Sequence, residues 1–311
     1  MKLDMKRKPQ KVHVCLCSFV SIRRWPKAFC VRSTICLLSL IFPSPPLYSE
    51  FVEVAPQIKI YYESSGEGDP LLFIPGWTMT SSIWKEQVTA FSKTHRVLVM
   101  DPRSQGNSSK ALAGNSLQQQ AKDLRKLIES LNLDNVTVVG WSMAVAVLLE
   151  YVNLYGNDHL KALVLVDGYP CLLKKEDWPY GMTPEESHKF LMDFENQRLA
   201  QTRLFVDQMF KTDRSDTELE WIEKEALRPP TTVSTVLGYD YFLFDRRPYL
   251  PKISVPTLLL MTSESKEVGE FMKTKIAGSQ LTVFEGLGPA LFLEDPKKFN
   301  ERLAAFLKSL Q

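Results

Sequence analysis

Cysteine is scarce along most of this 311-residue chain, and four of the five cysteines lie near the N-terminus: Cys15, Cys17, Cys30 and Cys36. Cys171 is the only cysteine in residues 50–311, and a single thiol cannot form an internal disulfide. This part of the chain must therefore be stabilised by a hydrophobic core. Cys15 and Cys17 lack a second ligand pair at zinc spacing, and no His/Asp cluster occurs, so we predict no metal site.

A strong excess of one charge is also missing, because 38 Lys and Arg residues face 36 Asp and Glu residues. Residues 1–49 hold nine of the basic residues and one acid, so residues 50–311 hold 29 basic and 35 acidic residues. Residues 50–311 therefore have a net negative charge, whereas nucleic-acid binding needs a basic surface. No glycine-rich phosphate loop or heptad seam occurs either. We therefore predict no cofactor and no nucleic-acid partner.

The apolar run near the N-terminus, residues 34–42, is much shorter than the roughly 20 residues that span a bilayer. It follows Lys27 and Arg32 and precedes prolines and the small residue Ser49, which is typical of an export signal. We expect residues 1–49 to be a leader that is cleaved near Ser49. The mature chain would then be periplasmic or secreted, without a membrane span. An uncleaved membrane-associated anchor, or a downstream start in a cytoplasmic protein, remains an alternative.

Strand-like apolar runs alternate with helical patterns through residues 50–311. The runs are residues 58–63, 71–74, 97–100, 136–139, 162–166, 257–261 and 281–284. Apolar residues recur at helical spacing in residues 84–91, 117–131, 143–155 and 296–310. This alternation predicts an α/β fold with a doubly wound, mostly parallel sheet. Residues 64–68 also predict a hairpin turn after the first strand.

Residues 169–250 interrupt the alternation, because they are mostly helical and lie between two predicted strands. We interpret them as a helical cap inserted into a single domain of residues 50–311. Six aromatic residues are candidates either for an apolar pocket beneath this cap or for its own core: Trp178, Tyr180, Tyr239, Tyr241, Phe242 and Phe244.

The most informative segment is Gly140-Trp141-Ser142-Met143-Ala144, where a β-branched strand runs directly into an apolar helix. This is the setting of a nucleophile elbow, in which a serine sits on a strained turn. The turn needs small neighbours, which Gly140 and Ala144 supply. Ser142 is therefore the predicted nucleophile, and the alternative is a serine that only caps the helix.

A second segment, Ile74-Pro75-Gly76-Trp77-Thr78, follows an earlier predicted strand. A loop here can bring the backbone N–H of Trp77 opposite that of Met143, and two such donors form an oxyanion hole. The alternative is an ordinary Pro-Gly turn.

Together these segments resemble the α/β-hydrolase superfamily over residues 51–311. Residues 73–77 look like its oxyanion loop, residues 101–109 look like the loop after the next strand, and residues 140–144 look like its elbow. Residues 286–296 look like the loop that carries the family's histidine. The resemblance implies a capped α/β-hydrolase fold similar to that of esterases, haloperoxidases and epoxide hydrolases.

The chain departs from the family pattern at the histidine, where Pro289 follows Gly288. Proline has no imidazole, and a serine without a base is a poor nucleophile near neutral pH. His95 and His159 precede strands, so they should lie at the sheet edge opposite to a site. His188 of the cap is the remaining substitute base, and the alternative is a solvated surface histidine.

The acid of the triad is also open. The family usually has an Asp in the loop after the strand at 257–261, but that loop here reads Thr-Ser-Glu-Ser-Lys-Glu-Val. The resemblance leaves Glu264 or Glu267 of this loop, Asp167 after the strand at 162–166, or neither.

Two functions follow from this pattern. The first is a hydrolase of a small ester or related acyl substrate, with Ser142 as the nucleophile and a degenerate triad. Its oxyanion donors would be Trp77 and Met143, and its acid would be Asp167 or Glu264. The second is a catalytically inactive member that binds an apolar small molecule or a protein partner under the cap.

Overall fold

The structure is a computed structural model that describes residues 48–311. The predicted leader lies outside the described residues except for Tyr48 and Ser49. Those two residues are part of the first strand, two positions upstream of the predicted domain boundary at residue 50.

Within residues 48–311, eight strands form one sheet. They are β1 (Tyr48–Ala55), β2 (Ile58–Ser65), β3 (Pro70–Ile74), β4 (Arg96–Met100), β5 (Val136–Trp141), β6 (Leu160–Val166), β7 (Thr257–Thr262) and β8 (Gln280–Phe284). Their order is β1-β2-β4-β3-β5-β6-β7-β8. The β1/β2 and β2/β4 pairs are antiparallel, and the others are parallel. The prediction of a doubly wound, mostly parallel sheet is confirmed.

One strand was not predicted, and one expectation about the first strands was wrong. Strand β1 was not predicted, because four of its first five residues are exposed and it carries no apolar run. The hairpin joins β1 to β2 through Gln57, which adopts a positive φ of 64°, and residues 64–68 do not form a hairpin turn. That segment instead leads the chain past β4 to β3, because β2 pairs with β4 and not with β3.

Helices cover both faces of the sheet and also fill the segment between β6 and β7. They are α1 (Lys85–Phe91), α2 (Leu117–Ser130), α3 (Met143–Tyr155), α4 (Pro184–Asn196), α5 (Arg198–Asp207), α6 (Asp216–Ala226), α7 (Thr231–Leu243), α8 (Lys266–Lys275), α9 (Leu291–Glu294) and α10 (Pro296–Ser309). Alternate residues of a strand point to opposite faces. In β3, Leu72 therefore packs in the same cluster as residues of α2 and α3, and Phe73 in the cluster that includes α1 and α10.

Helices α4 to α7 lie within the segment predicted to be a cap. Helix α4 begins with a capping box between Thr183 and Glu186, and α6 begins with one between Ser215 and Glu218. In each box the side chains satisfy backbone N–H groups that the first helical turn leaves unpaired. Local sequence therefore fixes where these cap helices start.

The chain leaves the sheet for the cap and returns to it at one neck. The backbone N–H of Arg246 donates to the carbonyl of Pro170 over 2.8 Å, which joins the two ends of the insertion. The buried guanidinium of Arg246 pairs with Glu150 of α3 at 2.7 Å and with Asp240 of α7 at 2.6 Å. The cap is thus attached to the helix that follows β5.

Across residues 48–311, no helix is both long enough and apolar enough to cross a membrane.

Candidate active site

Ser142 sits on the turn between β5 and α3. Its φ of 55° and ψ of −118° lie in a region that non-glycine residues rarely adopt. The turn is held by the Ser142 N–H, which donates to the Val166 carbonyl over 2.8 Å, and by the Ser142 carbonyl, which accepts from Val145 over 2.9 Å. Such strain persists where the surroundings over-determine the conformation, and it is frequent at functional sites.

Close packing around the turn explains why its neighbours are small. A Cβ atom on Gly140 would lie 2.7 Å from Cδ1 of Leu148, and one on Gly168 would lie 2.5 Å from the Ser142 carbonyl oxygen. These separations are shorter than real side-chain contacts. The need for a small residue at Gly140, which the sequence indicated, therefore has a steric cause, and Gly168 after β6 is constrained in the same way.

The loop after β3 lies against the serine, because a Cβ on Gly76 would be 3.2 Å from Cβ of Ser142. Buried Gln105 fixes this loop: its Nε2 donates to the carbonyls of Gly76 at 3.2 Å and Met79 at 2.7 Å. Asp101 also holds the loop by accepting from the backbone of Ser81 over 2.6 Å. The 101–109 segment thus positions the 74–78 loop.

The backbone N–H groups of Trp77 and Met143 donate to no acceptor within the described chain. Met143 is the first residue of α3, where backbone donors have no partner inside the helix and the helix dipole favours negative charge. The Trp77 indole is occupied, since its Nε1 donates to the Ser234 carbonyl at 2.8 Å. Both backbone donors are free for a ligand oxygen, and their pairing as an oxyanion hole stays a prediction.

Asp167 follows β6 directly and is buried, with 8% of its surface exposed. Its Oδ1 accepts hydrogen bonds from the Thr262 backbone and hydroxyl, both at 3.1 Å, and from the Ser265 hydroxyl. Burial raises the pKa of this carboxyl above its usual range, although these hydrogen bonds oppose the shift. Asp167 lines the same cavity as Ser142.

That cavity has a volume of about 280 Å³ and lies between the sheet edge and the cap. Its lining residues are Trp77, Trp141, Ser142, Asp167, Tyr169, Leu172, Phe190, Phe205, Gln208, Met209, Gly238, Tyr241, Phe242 and Pro289. Two of the six predicted pocket aromatics, Tyr241 and Phe242, are among them. Trp178 is instead fully buried in the cap region, and Phe244 is exposed.

The sequence model of the family described as alpha/beta hydrolase fold matches residues 69–296. This chain belongs to the α/β-hydrolase fold family. It is 28% identical over 271 residues to the non-heme chloroperoxidase CPO-A1 of Kitasatospora aureofaciens, which covers 80% of this chain and 96% of that protein.

Two solved α/β-hydrolase structures resemble the fold closely. A bromoperoxidase from Bacillus anthracis superimposes with a TM-score of 0.80 at 29% identity, and covers 84% of this chain and all of that one. The esterase EaEST from Exiguobacterium antarcticum gives a TM-score of 0.81 at 27% identity with the same coverage. These matches confirm that the chain is an α/β-hydrolase family member, as its motifs indicated.

In this α/β-hydrolase, Pro289 lies in the cavity wall with Ser142 and Asp167. Its carbonyl accepts a hydrogen bond from Nε1 of Trp141 over 2.8 Å. The neighbouring N–H of Ala290 donates to the Met209 carbonyl at 3.0 Å, so the position of the loop is fixed on both sides.

None of the three histidines within residues 48–311 lines the cavity. His188 is exposed on α4, with Nδ1 3.2 Å from the Tyr239 hydroxyl. His159 precedes β6 and pairs with Asp134 at 2.8 Å. His95 precedes β4, where its Nδ1 lies 2.8 Å from the Thr94 hydroxyl. The described histidines therefore contribute no imidazole next to Ser142.

Glu264, the second candidate acid, points away from the cavity. Its side chain is 68% exposed and forms an ion pair with Lys211. Glu267 is exposed as well. Ser265 is the residue of this loop that turns inward, where it donates to Asp167. The geometry therefore favours Asp167 over both glutamates as the acid of this site.

Sequence reasoning missed the residues that complete the cavity from the cap, among them Phe190, Phe205 and Met209. Phe190 belongs to the amphipathic pattern of α4, which does not distinguish pocket from core, and Phe205 lies on α5, which has no clear apolar face. Among residues 48–311, no three His, Cys, Asp or Glu side chains come together in a way that could hold a metal ion.

Proposed function

We propose that the protein binds a small ester or related acyl compound at Ser142 and hydrolyses it only slowly, because no histidine within residues 48–311 lies in the cavity to activate the serine. The observation that carries this proposal is the strained turn at Ser142, which faces an apolar cavity of about 280 Å³. Pockets of this kind, with few polar groups among apolar walls, suit small organic ligands.

The two free backbone donors support a carbonyl ligand. An oxygen held by the N–H groups of Trp77 and Met143 would gain charge during attack, and fixed dipoles stabilise such charge without reorganising. The EaEST relative is named an esterase and CPO-A1 a chloroperoxidase, so the fold carries several chemistries. The choice of an ester rests on the oxygen-binding geometry at Ser142.

The chemistry would proceed in two steps. The Ser142 oxygen adds to the carbonyl carbon while its proton passes to solvent water, and the ester C–O bond breaks as the alcohol takes up a proton. Water then hydrolyses the acyl-serine to release the acid. Loss of one triad member leaves roughly 10³–10⁴-fold acceleration over water from the oxyanion hole and binding, so turnover stays slow.

A second candidate function is ligand binding with no turnover. The combination that favours it is an intact apolar cavity with Pro289 in the wall, where the family pattern has its base. Nothing in this combination prevents an apolar small molecule from binding under the cap.

The test compares the full-length protein with its Ser142→Ala variant on p-nitrophenyl acetate, and follows thermal melts in the presence of benzyl acetate. Slow turnover that disappears in Ser142→Ala supports serine catalysis. Equal turnover in the two proteins, with saturable stabilisation by benzyl acetate in both, supports the binding-only function. No turnover above Ser142→Ala and no stabilisation by benzyl acetate would overturn both.

A further inference from the structure

Of the residues between 48 and 311 that line the cavity, Asp167 is the single charged one. Its Oδ1 takes all the hydrogen bonds described above, whereas Oδ2 accepts none from any residue between 48 and 311. The side chain is more than nine-tenths buried. The cavity wall therefore carries a carboxylate oxygen that is open to the cavity and accepts no hydrogen bond from residues 48–311.

No basic side chain from the described part of the chain lines the cavity to balance this carboxylate. A histidine at position 289 would have supplied an imidazolium, which is the charge that a triad acid stabilises. Pro289 supplies none. Lys211 does not balance the carboxylate either, because its side chain forms an ion pair with Glu264 on the outside of the protein.

Aromatic rings form most of the remaining wall. Among them are Trp77, Trp141, Phe190, Phe205, Tyr241 and Phe242. The face of an aromatic ring attracts cations, most strongly where water is excluded. These walls lower the cost of bringing a cation into the cavity and give no comparable benefit to an anion.

The carboxyl of Asp167 also acts on its neighbour Tyr169. The pKa of Tyr169, which also lines the cavity, is raised to about 12 by burial first and then by the charges of Asp167, Glu264 and Glu267. The same field that disfavours a phenolate would favour a positively charged ligand.

We propose that the ligand of this cavity carries a protonated amine or another organic cation, seated between Oδ2 of Asp167 and the aromatic walls. This inference rests on the proposed function, since it requires that the cavity bind a small molecule. It narrows the ligand class to compounds that combine an apolar or acyl body with a positive charge.

The energetic reason is that the protein has already desolvated the carboxylate in the folded state. Burial disfavours the charged form of this carboxyl, and a bound cation would supply a Coulomb attraction and one hydrogen bond that stabilise it. A neutral ligand of the same shape leaves that cost in place. The preference should therefore appear as a difference between two ligands that differ only in charge.

The experiment uses benzylamine and benzyl alcohol, which have the same number of non-hydrogen atoms, as calorimetric ligands for the full-length protein at about pH 8, where the amine is protonated. We expect benzylamine to bind at least about tenfold more tightly than benzyl alcohol. Asp167→Asn keeps an oxygen acceptor but removes the charge, so it should bring the ratio close to one.

A second variant guards against misfolding of Asp167→Asn. Pro289→His adds an imidazole to the cavity wall that Asp167 also lines, and it should weaken the binding of benzylamine without weakening that of benzyl alcohol. Equal affinities of the wild type for both ligands overturn the cation inference while the proposed function stands. If the protein binds benzyl acetate but not benzylamine, the cation inference is likewise overturned while the proposed function stands. If it binds none of the three ligands, both proposals are overturned.

Discussion

Nε1 of Trp141 donates to the carbonyl of Pro289 over 2.8 Å, and so ties the residue before the nucleophile to the position where the family pattern has its base. The bond uses the backbone of residue 289 and not its side chain. Any residue at this position can therefore accept the same bond. The loop is already held where an imidazole would face the cavity.

Pro289→His should raise hydrolysis of p-nitrophenyl acetate, because it supplies a proton acceptor in the cavity wall that Ser142 also lines. General base catalysis contributes roughly 10²–10⁴-fold, and we expect a gain in kcat/KM within that range. Pro289→Ala is the matched control, since it removes the ring without adding a base. A gain of equal size in the alanine variant would contradict this explanation.

Gly168→Ala should destabilise the protein by about 1–3 kcal/mol, because its Cβ would lie 2.5 Å from the Ser142 carbonyl oxygen and 2.6 Å from Cβ of Val145. The free energy of unfolding in urea measures the effect. Gly269→Ala in α8 is the control, because its Cβ would meet only side-chain atoms of Met261 and Leu281. A loss in the control as large as that of Gly168→Ala would show that backbone crowding at the elbow is not the cause.

Asp167→Asn should change the pH dependence of stability. The pKa of Asp167 is raised in the folded state, so the folded protein binds a proton more tightly than the unfolded chain. Stability contributed by this group is present below its unfolded pKa of about 3.9 and is lost as the pH rises through the folded pKa. The asparagine variant lacks this loss, and its advantage over the wild type should grow from pH 4 upward in urea titrations. An advantage that shrinks over the same range would refute the assignment.

Arg246→Leu should destabilise the protein by about 3–5 kcal/mol, because it leaves Glu150 buried without its partner. Glu150 belongs to α3, which begins next to Ser142. Urea unfolding measures the loss. Arg203→Leu is the control, since Arg203 is 60% exposed in its pair with Asp216 and surface pairs contribute little. Similar losses in the two variants would argue against the buried pair as the cause.

Cleavage of the leader near Ser49 would leave Glu50 as the first residue of an exported protein. N-terminal sequencing of protein recovered outside the cytoplasm should then read Glu50-Phe51-Val52. Removal of Tyr48 and Ser49 would take away two residues that pair with Ser64 and Glu63 of β2, and the rest of the β1/β2 ladder would remain. Recovery of the full chain from the cytosol would defeat this prediction.

The sequence predicted the central strands well because they are buried on both faces. Strand β6 and helix α3 have continuous apolar patterns, and α3 begins at Met143 and ends at Tyr155 as expected. Strand β1 was not predicted, because it is exposed over most of its length and lacks the apolar run of a buried strand. Strand pairing was harder still, since the order of β3 and β4 depends on contacts distant in sequence.

The site was predictable only where local chemistry is distinctive. Ser142 needs a strained turn between small residues, which leaves a readable pattern. The orientation of a carboxylate leaves none: Glu264 and Asp167 were both open candidates, and only the fold shows that Glu264 is exposed and Asp167 is buried. Contributions of the cap helices to the cavity likewise depend on how α4 and α5 pack, which periodicity does not encode.

The bond between Arg246 and Pro170 closes the insertion at its base. A segment whose two ends meet can be exchanged as a unit without altering the order of the strands beneath it. Variation in residues 171–245 can therefore reshape what enters the pocket while the turn at Ser142 stays unchanged. The residues that select the ligand can in this way change in evolution separately from the residues that maintain the sheet.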